Sequence, residues 1–293
     1  MKPHRHRRFP PPGLLLLGAA LLTAAIPASA SDKIVVKGSD TLGARLMPRL
    51  KEEFIAMKKA RGEEVTFEIA AEGSRTGITA LIDGKADLAM SSRRLQSGEL
   101  STARARGVNL KAIPVGVDGI AVIVNADNPV EQLSPRQVEM IFTGDIDDWS
   151  GISPVSGRIS TYTRSTSSGT YSLFQTLALH RRDYSDFSLK LAGNEQVAAE
   201  VAANPRAIGY VGLAFSHTPG VKVLPVDGKL PSSEDYPLAR PLYFYVNVNA
   251  THTPVVQEFI DFILSPEGQA VVESVDFLPA SRLKEMYPEL AVD

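Results

Sequence analysis

Arg164 ends an alternating run, Arg158-Ile159-Ser160-Thr161-Tyr162-Thr163, and is followed by Ser165-Thr166-Ser167-Ser168-Gly169-Thr170. Beyond it, Tyr171, Phe174, Leu177 and Ala178 recur at helical spacing. The pattern predicts a strand, a turn of small hydroxyl residues and a helix start, with one guanidinium beside them. The first N–H groups of a helix have no intrahelical acceptor, and together with the helix dipole they attract anions. Ser168 and Thr170 add hydroxyl donors, Gly169 lets backbone approach a ligand closely, and Arg164 offers a planar fork to an oxyanion. The chemistry this points to is oxyanion capture. An N-cap cluster beside a surface arginine is the ordinary alternative, since such caps are common. Recurrence of the arrangement elsewhere in the chain favours the site.

Three earlier stretches repeat it. Lys33–Val36 is β-rich and leads into Gly38-Ser39-Asp40-Thr41, after which Leu46, Leu50, Phe54 and Met57 mark one face of a helix. Val65–Ala70 alternates as a strand and runs into Glu72-Gly73-Ser74-Arg75-Thr76-Gly77, with Ile78, Leu81 and Ile82 starting a helix that Gly84 closes. Asp87–Met90 leads into Ser91-Ser92-Arg93-Arg94. Alternating strands and helices predict an α/β fold with a mainly parallel sheet, whose ligands bind beyond the carboxyl ends of its strands. Lys111–Val117 and Ile120–Asn125 are β-rich runs separated only by Asp118-Gly119, which reads either as a hairpin turn or as a crossing between two parts of the molecule. Ser134-Pro135 opens a helix ending near Gly144, and Trp149, the single tryptophan, reads as a packing residue. Further helices are predicted at Asn194–Ala203, Pro254–Leu264 and Glu267–Ser274, and strands at Ala207–Gly212, Val221–Val226 and Leu242–Val248.

Composition removes several rival chemistries. With 293 residues the chain is long enough for one large domain or two ordinary ones. Residues 1–30 read as a secretory signal peptide: a basic start (Lys2, Arg5, Arg7, Arg8), an apolar stretch Leu14–Ile26 and small residues at Ala28-Ser29-Ala30. Its removal takes four of the 31 basic residues and none of the 33 acidic ones, leaving a formal charge of −6. An acidic chain without a basic run is a poor nucleic-acid binder, so any anion site must be local and built from directed donors. There is no cysteine, hence no disulfide and no lipid-bearing thiol, and a free periplasmic protein is expected. His180, His217 and His252 are not at metal-ligand spacing, so no metal is expected. Glycine-rich nucleotide motifs and a Gly-x-Ser-x-Gly elbow are absent from the sequence.

Several segments follow in the order seen in bacterial phosphate-binding proteins, the solute receptors of the phosphate ABC transporter. They are Gly38-Ser39-Asp40-Thr41, Gly73-Ser74 with Gly77, Met90-Ser91-Ser92-Arg93, Asp118-Gly119-Ile120-Ala121-Val122 and Ile141-Phe142-Thr143-Gly144 with Trp149. Arg164 with Ser168-Gly169-Thr170, Ala207-Ile208-Gly209-Tyr210 and the run from Tyr236 to Tyr243 continue the series. The chain resembles that family over nearly all of residues 33–280. The resemblance implies a two-lobed periplasmic binding protein, each lobe a mainly parallel sheet flanked by helices, joined by two crossover hinge strands. Residues 31–116 and 240–293 would form one lobe and 117–239 the other. The crossings would fall near Val115–Gly119 and Ala239–Leu242, which favours a crossing over a hairpin at Asp118-Gly119.

By matching motifs, the resemblance places Ser39 and Thr41 in a first phosphate-binding loop, Ser74 in a second and Ser92 in a third. Arg164, Ser168, Gly169 and Thr170 form a fourth from the opposite lobe. Arg93 matches the Ser-Ser-Arg form of other members and either contacts the ligand or braces its loop. One well-known branch carries an aspartate where Ser92 stands, and that acid accepts the proton that separates phosphate from sulfate. Asp118 is the first candidate to replace it and Asp40 the second, the ordinary alternative for Asp118 being a turn residue. The function implied is capture of inorganic phosphate in the inter-lobe cleft, for delivery to an inner-membrane ABC permease by a monomer. The implied role requires neither catalysis nor a cofactor. A periplasmic phosphomonoesterase and a phosphate-sensing protein on the same scaffold are the rival readings.

Overall fold

The computed structural model describes Met1 and residues 32–154 and 156–288. Apart from Met1, the predicted signal peptide lies outside the described residues. The described elements begin with β1 (Asp32–Gly38), the single helical turn α1 (Asp40–Gly43) and α2 (Leu46–Ala60). β2 (Val65–Ala70), α3 (Ser74–Ile82), β3 (Leu88–Ser91) and α4 (Ser97–Ala105) follow. β1 pairs in parallel with β2 on one side and β3 on the other.

Next comes one 16-residue strand, β4 (Leu110–Asn125). It runs straight through Asp118-Gly119, so the hairpin alternative is wrong and the crossing is right. Its only irregularity is a register shift between Pro114 and Gly116, which accommodates a proline that cannot donate to the ladder. From Leu110 to Gly119 it pairs with the later strand β9 (Ala239–Asn247), and from Ile120 onward with β7 (Ala207–Gly212). Between these lie α5 (Pro135–Thr143), β5 (Ser160–Arg164), α6 (Gly169–Leu177), β6 (Leu189–Leu191), α7 (Asn194–Ala203) and β8 (Val221–Leu224). The last described elements are α8 (Pro254–Leu264), α9 (Pro266–Ser274), β10 (Leu278–Pro279) and α10 (Leu283–Met286).

The strand order β2-β1-β3-β9-β4-β7-β5-β6 makes one long path with two parallel trios at its ends and antiparallel crossings in the middle. Period-2 alternation explains how each half is covered on both faces. On β9, Leu242, Phe244 and Val246 face a core shared with α2 and α8, while Tyr243 and Tyr245 face α3 and Ala103 of α4. On the second part of β4, Ile120, Val122 and Val124 join α5, α6 and Trp149, whereas Ala121 and Ile123 join α7. Trp149 is a packing residue as expected, its indole N–H donating to the Arg206 carbonyl. The two halves thus have separate hydrophobic interiors, and the loops at the carboxyl ends of β1, β2, β3 and β5 meet between them.

Candidate anion-binding site

Each of those loops ends at a helix start. Ser39 is the N-cap of α1, Gly73 that of α3 and Ser168 that of α6. Ser168 Oγ accepts the Tyr171 N–H at 3.3 Å, which leaves the N–H groups of Gly169 and Thr170 without an intrahelical acceptor. Ser39, Thr41, Ser74, Ser92, Ser168 and Thr170 are all buried. Polar residues withdraw from water together in this way only when they satisfy one another or a ligand.

The loops from the two halves touch directly. Thr41 Oγ1 lies 3.3 Å from Thr170 Oγ1, and Ser74 Oγ lies 3.3 Å from Ser92 Oγ while accepting the Ser92 N–H at 3.1 Å. A Cβ on Gly169 would clash with Ser74 Oγ and sit 2.6 Å from Ser92 Oγ, so only glycine permits this approach. Gly73 is a second such position. Its φ of +118° suits glycine, and a Cβ there would lie 2.6 Å from the Ser167 carbonyl oxygen. Across the same seam the Arg75 N–H donates to that carbonyl at 3.2 Å, and Ser167 Oγ donates to the Glu72 carbonyl at 3.0 Å.

Arg164 is 1% exposed. Its Nε and Nη2 donate to the Ala192 carbonyl at 3.3 and 2.7 Å, and Nη2 lies 3.2 Å from Asp40 Oδ2. Nη1 is buried with no hydrogen-bond partner. Burial pushes the guanidinium pKa down, and the Asp40 carboxylate opposes that shift. Behind it the Arg164 N–H donates to Tyr210 Oη at 3.4 Å, and Tyr210 Oη lies 3.0 Å from Tyr184 Oη, which donates to the Tyr171 carbonyl. The exit of β5 is thereby tied to the first turn of α6.

Two predicted residues are engaged differently from each other. Both guanidinium nitrogens at the end of Arg93 bind Glu99, at 2.8 and 2.7 Å, and Nη1 also donates to the Arg94 carbonyl. These contacts tie Arg93 to its own loop and to α4, while its Nε is buried without a hydrogen-bond partner. Asp118 lies at the seam, fully buried, and its Oδ2 accepts Nε and Nη2 of Arg240 at 3.0 and 2.7 Å while Oδ1 accepts the Leu213 N–H at 2.9 Å. Burial pushes the Asp118 carboxyl pKa up, and the Arg240 charge pulls it back.

Arg240 itself was not singled out from the sequence. It is 1% exposed and reaches across the seam, with Nη1 donating to Thr170 Oγ1 at 2.8 Å and Nη2 to Thr41 Oγ1 at 3.3 Å. A charge inside the apolar run Ala239–Val246 was the available signal, since a buried guanidinium requires a carboxylate. Asp118→Ala is expected to destabilise the fold by about 3–5 kcal/mol, because it leaves Arg240 buried without a counter-charge. Replacing the pair together by Leu and Met should restore much of that loss in thermal unfolding, and an equally unstable double variant would contradict this account.

Among the described residues no group of His, Asp and Glu side chains is arranged to hold a metal ion, and no helix is long and apolar enough to cross a membrane. His180 and His217 are exposed, and His252 Nε2 lies against the Asn247 carbonyl. What the site assembles is a set of hydroxyls, helix N-termini and two arginines, each arginine held by one aspartate.

A model of the PBP superfamily domain matches residues 23–267. The phosphate-binding protein PstS of Pseudomonas aeruginosa is 32% identical over 298 aligned residues, covering 90% of each chain. Among solved structures, a Clostridium perfringens protein described as a phosphate ABC transporter substrate-binding protein, with bound phosphate, superposes with a TM-score of 0.76. It is 28% identical, over 85% of this chain and 100% of its own. An ABC-type phosphate transport receptor from Vibrio cholerae superposes with a TM-score of 0.65 at 25% identity, over 84% and 99%.

Proposed function

Because the chain belongs to the PBP superfamily and, within it, to the phosphate-binding PstS family, we propose that it is a receptor that captures inorganic phosphate between its two lobes. The observation that carries this reading is the Arg164 Nη1 group, buried without a partner where donor loops from both halves converge. A tetrahedral oxyanion supplies what such a cluster needs, because its oxygens can accept from Arg164, from the N–H groups opening α6 and from the hydroxyls of Ser39, Thr41, Ser74, Ser92, Ser168 and Thr170. One lobe comprises residues 31–116 and 240–293 and the other residues 117–239, with β4 and β9 as the hinge strands. The chain works in the periplasm and delivers phosphate to an inner-membrane ABC permease.

Asp118 is proposed to act through Arg240, fixing the guanidinium that spans Thr41 and Thr170. Binding across both lobes couples ligand to stability. Phosphate at a hundred times its dissociation constant is expected to stabilise the protein by about 2.7 kcal/mol. Calorimetric titration with phosphate, followed by thermal unfolding at that concentration, checks this. Absence of both heat and stabilisation would refute the assignment.

A further inference from the structure

We propose that Asp40 is a positioning residue that latches the closed cleft and sets the rotation of Arg164. The proposal rests on the phosphate-receptor reading above. Asp40 opens α1, whose Leu42 belongs to the core around β1 and α2. Its Oδ2 is engaged only from the other half: it accepts the Asn194 N–H at 2.9 Å and Asn194 Nδ2 at 2.7 Å, and forms an ion pair with Arg164 Nη2 at 3.2 Å.

These contacts do two things at once. The N-cap of α7 is Gly193, which has no side chain to cap the helix, so Asp40 supplies a capping carboxylate through space. Asn194 is fully buried and passes the connection on, its Oδ1 accepting the Gly212 N–H at 3.1 Å at the end of β7. Meanwhile the pull of Oδ2 on Arg164 Nη2, shared with the Ala192 carbonyl, leaves Nη1 as the one free face of the guanidinium. When the halves part, Asp40 loses both hydrogen bonds and the ion pair together, whereas Arg164 keeps Ala192 and Asn194 keeps Gly212, each within its own half. The carboxylate therefore favours the closed arrangement specifically.

Charge alone predicts the opposite outcome, which makes the proposal decidable. A carboxylate close to an anion site repels the anion, so a mere neighbour would tighten binding when removed. A latch would loosen it.

The experiment measures phosphate affinity, association rate and dissociation rate for the wild type, Asp40→Ala and the isosteric Asp40→Asn, with circular dichroism verifying the fold of each. Loss of charge-assisted bonds made only on closure is expected to weaken phosphate binding by about tenfold or more. The loss should appear as faster dissociation, with association unchanged or faster. Unchanged or tighter binding in a folded variant, or a loss confined to association, would overturn the latch. Asp40→Asn keeps the side-chain shape and decides the matter if the alanine variant does not fold. A wild type that takes up no phosphate would instead overturn the functional reading.

Discussion

Arg164→Ala is expected to lower phosphate affinity by about a hundredfold to several thousandfold, equivalent to about 3–5 kcal/mol. Two losses combine. The anion loses a charge-assisted donor whose Nη1 has no other partner, and Asp40 is left at the seam without the guanidinium it faces. Ser168→Ala removes one neutral donor and the Tyr171 cap, so a loss of about 1 kcal/mol, roughly fivefold, is expected there. Side-by-side titration of the two variants gives the test. Comparable losses would mean that the arginine is not the principal anchor.

Gly169→Ala should separate closure from folding. Gly169 is the first residue of α6 and its backbone is not in the left-handed region, so alanine fits there and the ligand-free protein is expected to be about as stable as the wild type. In the closed arrangement the added methyl would meet Ser74 Oγ and Ser92 Oγ. Overpacking of about 1–3 kcal/mol at that contact corresponds to a loss of affinity of roughly five- to 150-fold. Small-angle scattering at saturating phosphate should show the variant remaining larger than the ligand-bound wild type. Normal affinity with normal compaction would show that the two serines move aside at little cost.

Much of this was legible because it is local. Strand Val65–Ala70 and helix Asn194–Ala203 match their predicted limits, since period-2 and helical spacing over those stretches coincide with real burial. The donor loops were legible because hydroxyl residues and glycine recur at several strand-to-helix turns, although any one of them alone reads as an ordinary helix cap. Asp118-Gly119 reads as a turn by itself, and only its pairing with β9 and β7, more than 80 residues away in sequence, makes it part of a straight strand. Helix α4 went unrecognised because Ala103 is its single buried residue, so it has no apolar stripe to detect. β6 has three residues, none of them fully buried. Asn194 could not be assigned a role either, because its partner Asp40 lies 154 residues earlier. Pairings across the seam depend on two loops meeting in space, and single-segment patterns do not encode that.

The two chain crossings lie side by side as one antiparallel ribbon, paired from Leu110↔Asn247 to Gly119↔Ala239 with a single register shift between Pro114 and Gly116, and with Asp118 opposite Arg240 near its far end. Neighbouring strands cannot slide past each other without breaking their ladder of hydrogen bonds, and one ribbon cannot shear as two independent tethers could. The ribbon therefore resists sliding of one half past the other and leaves twist and bend as its soft deformations. The same ribbon fixes which surfaces face each other, with Thr41 against Thr170 and Gly169 against Ser74.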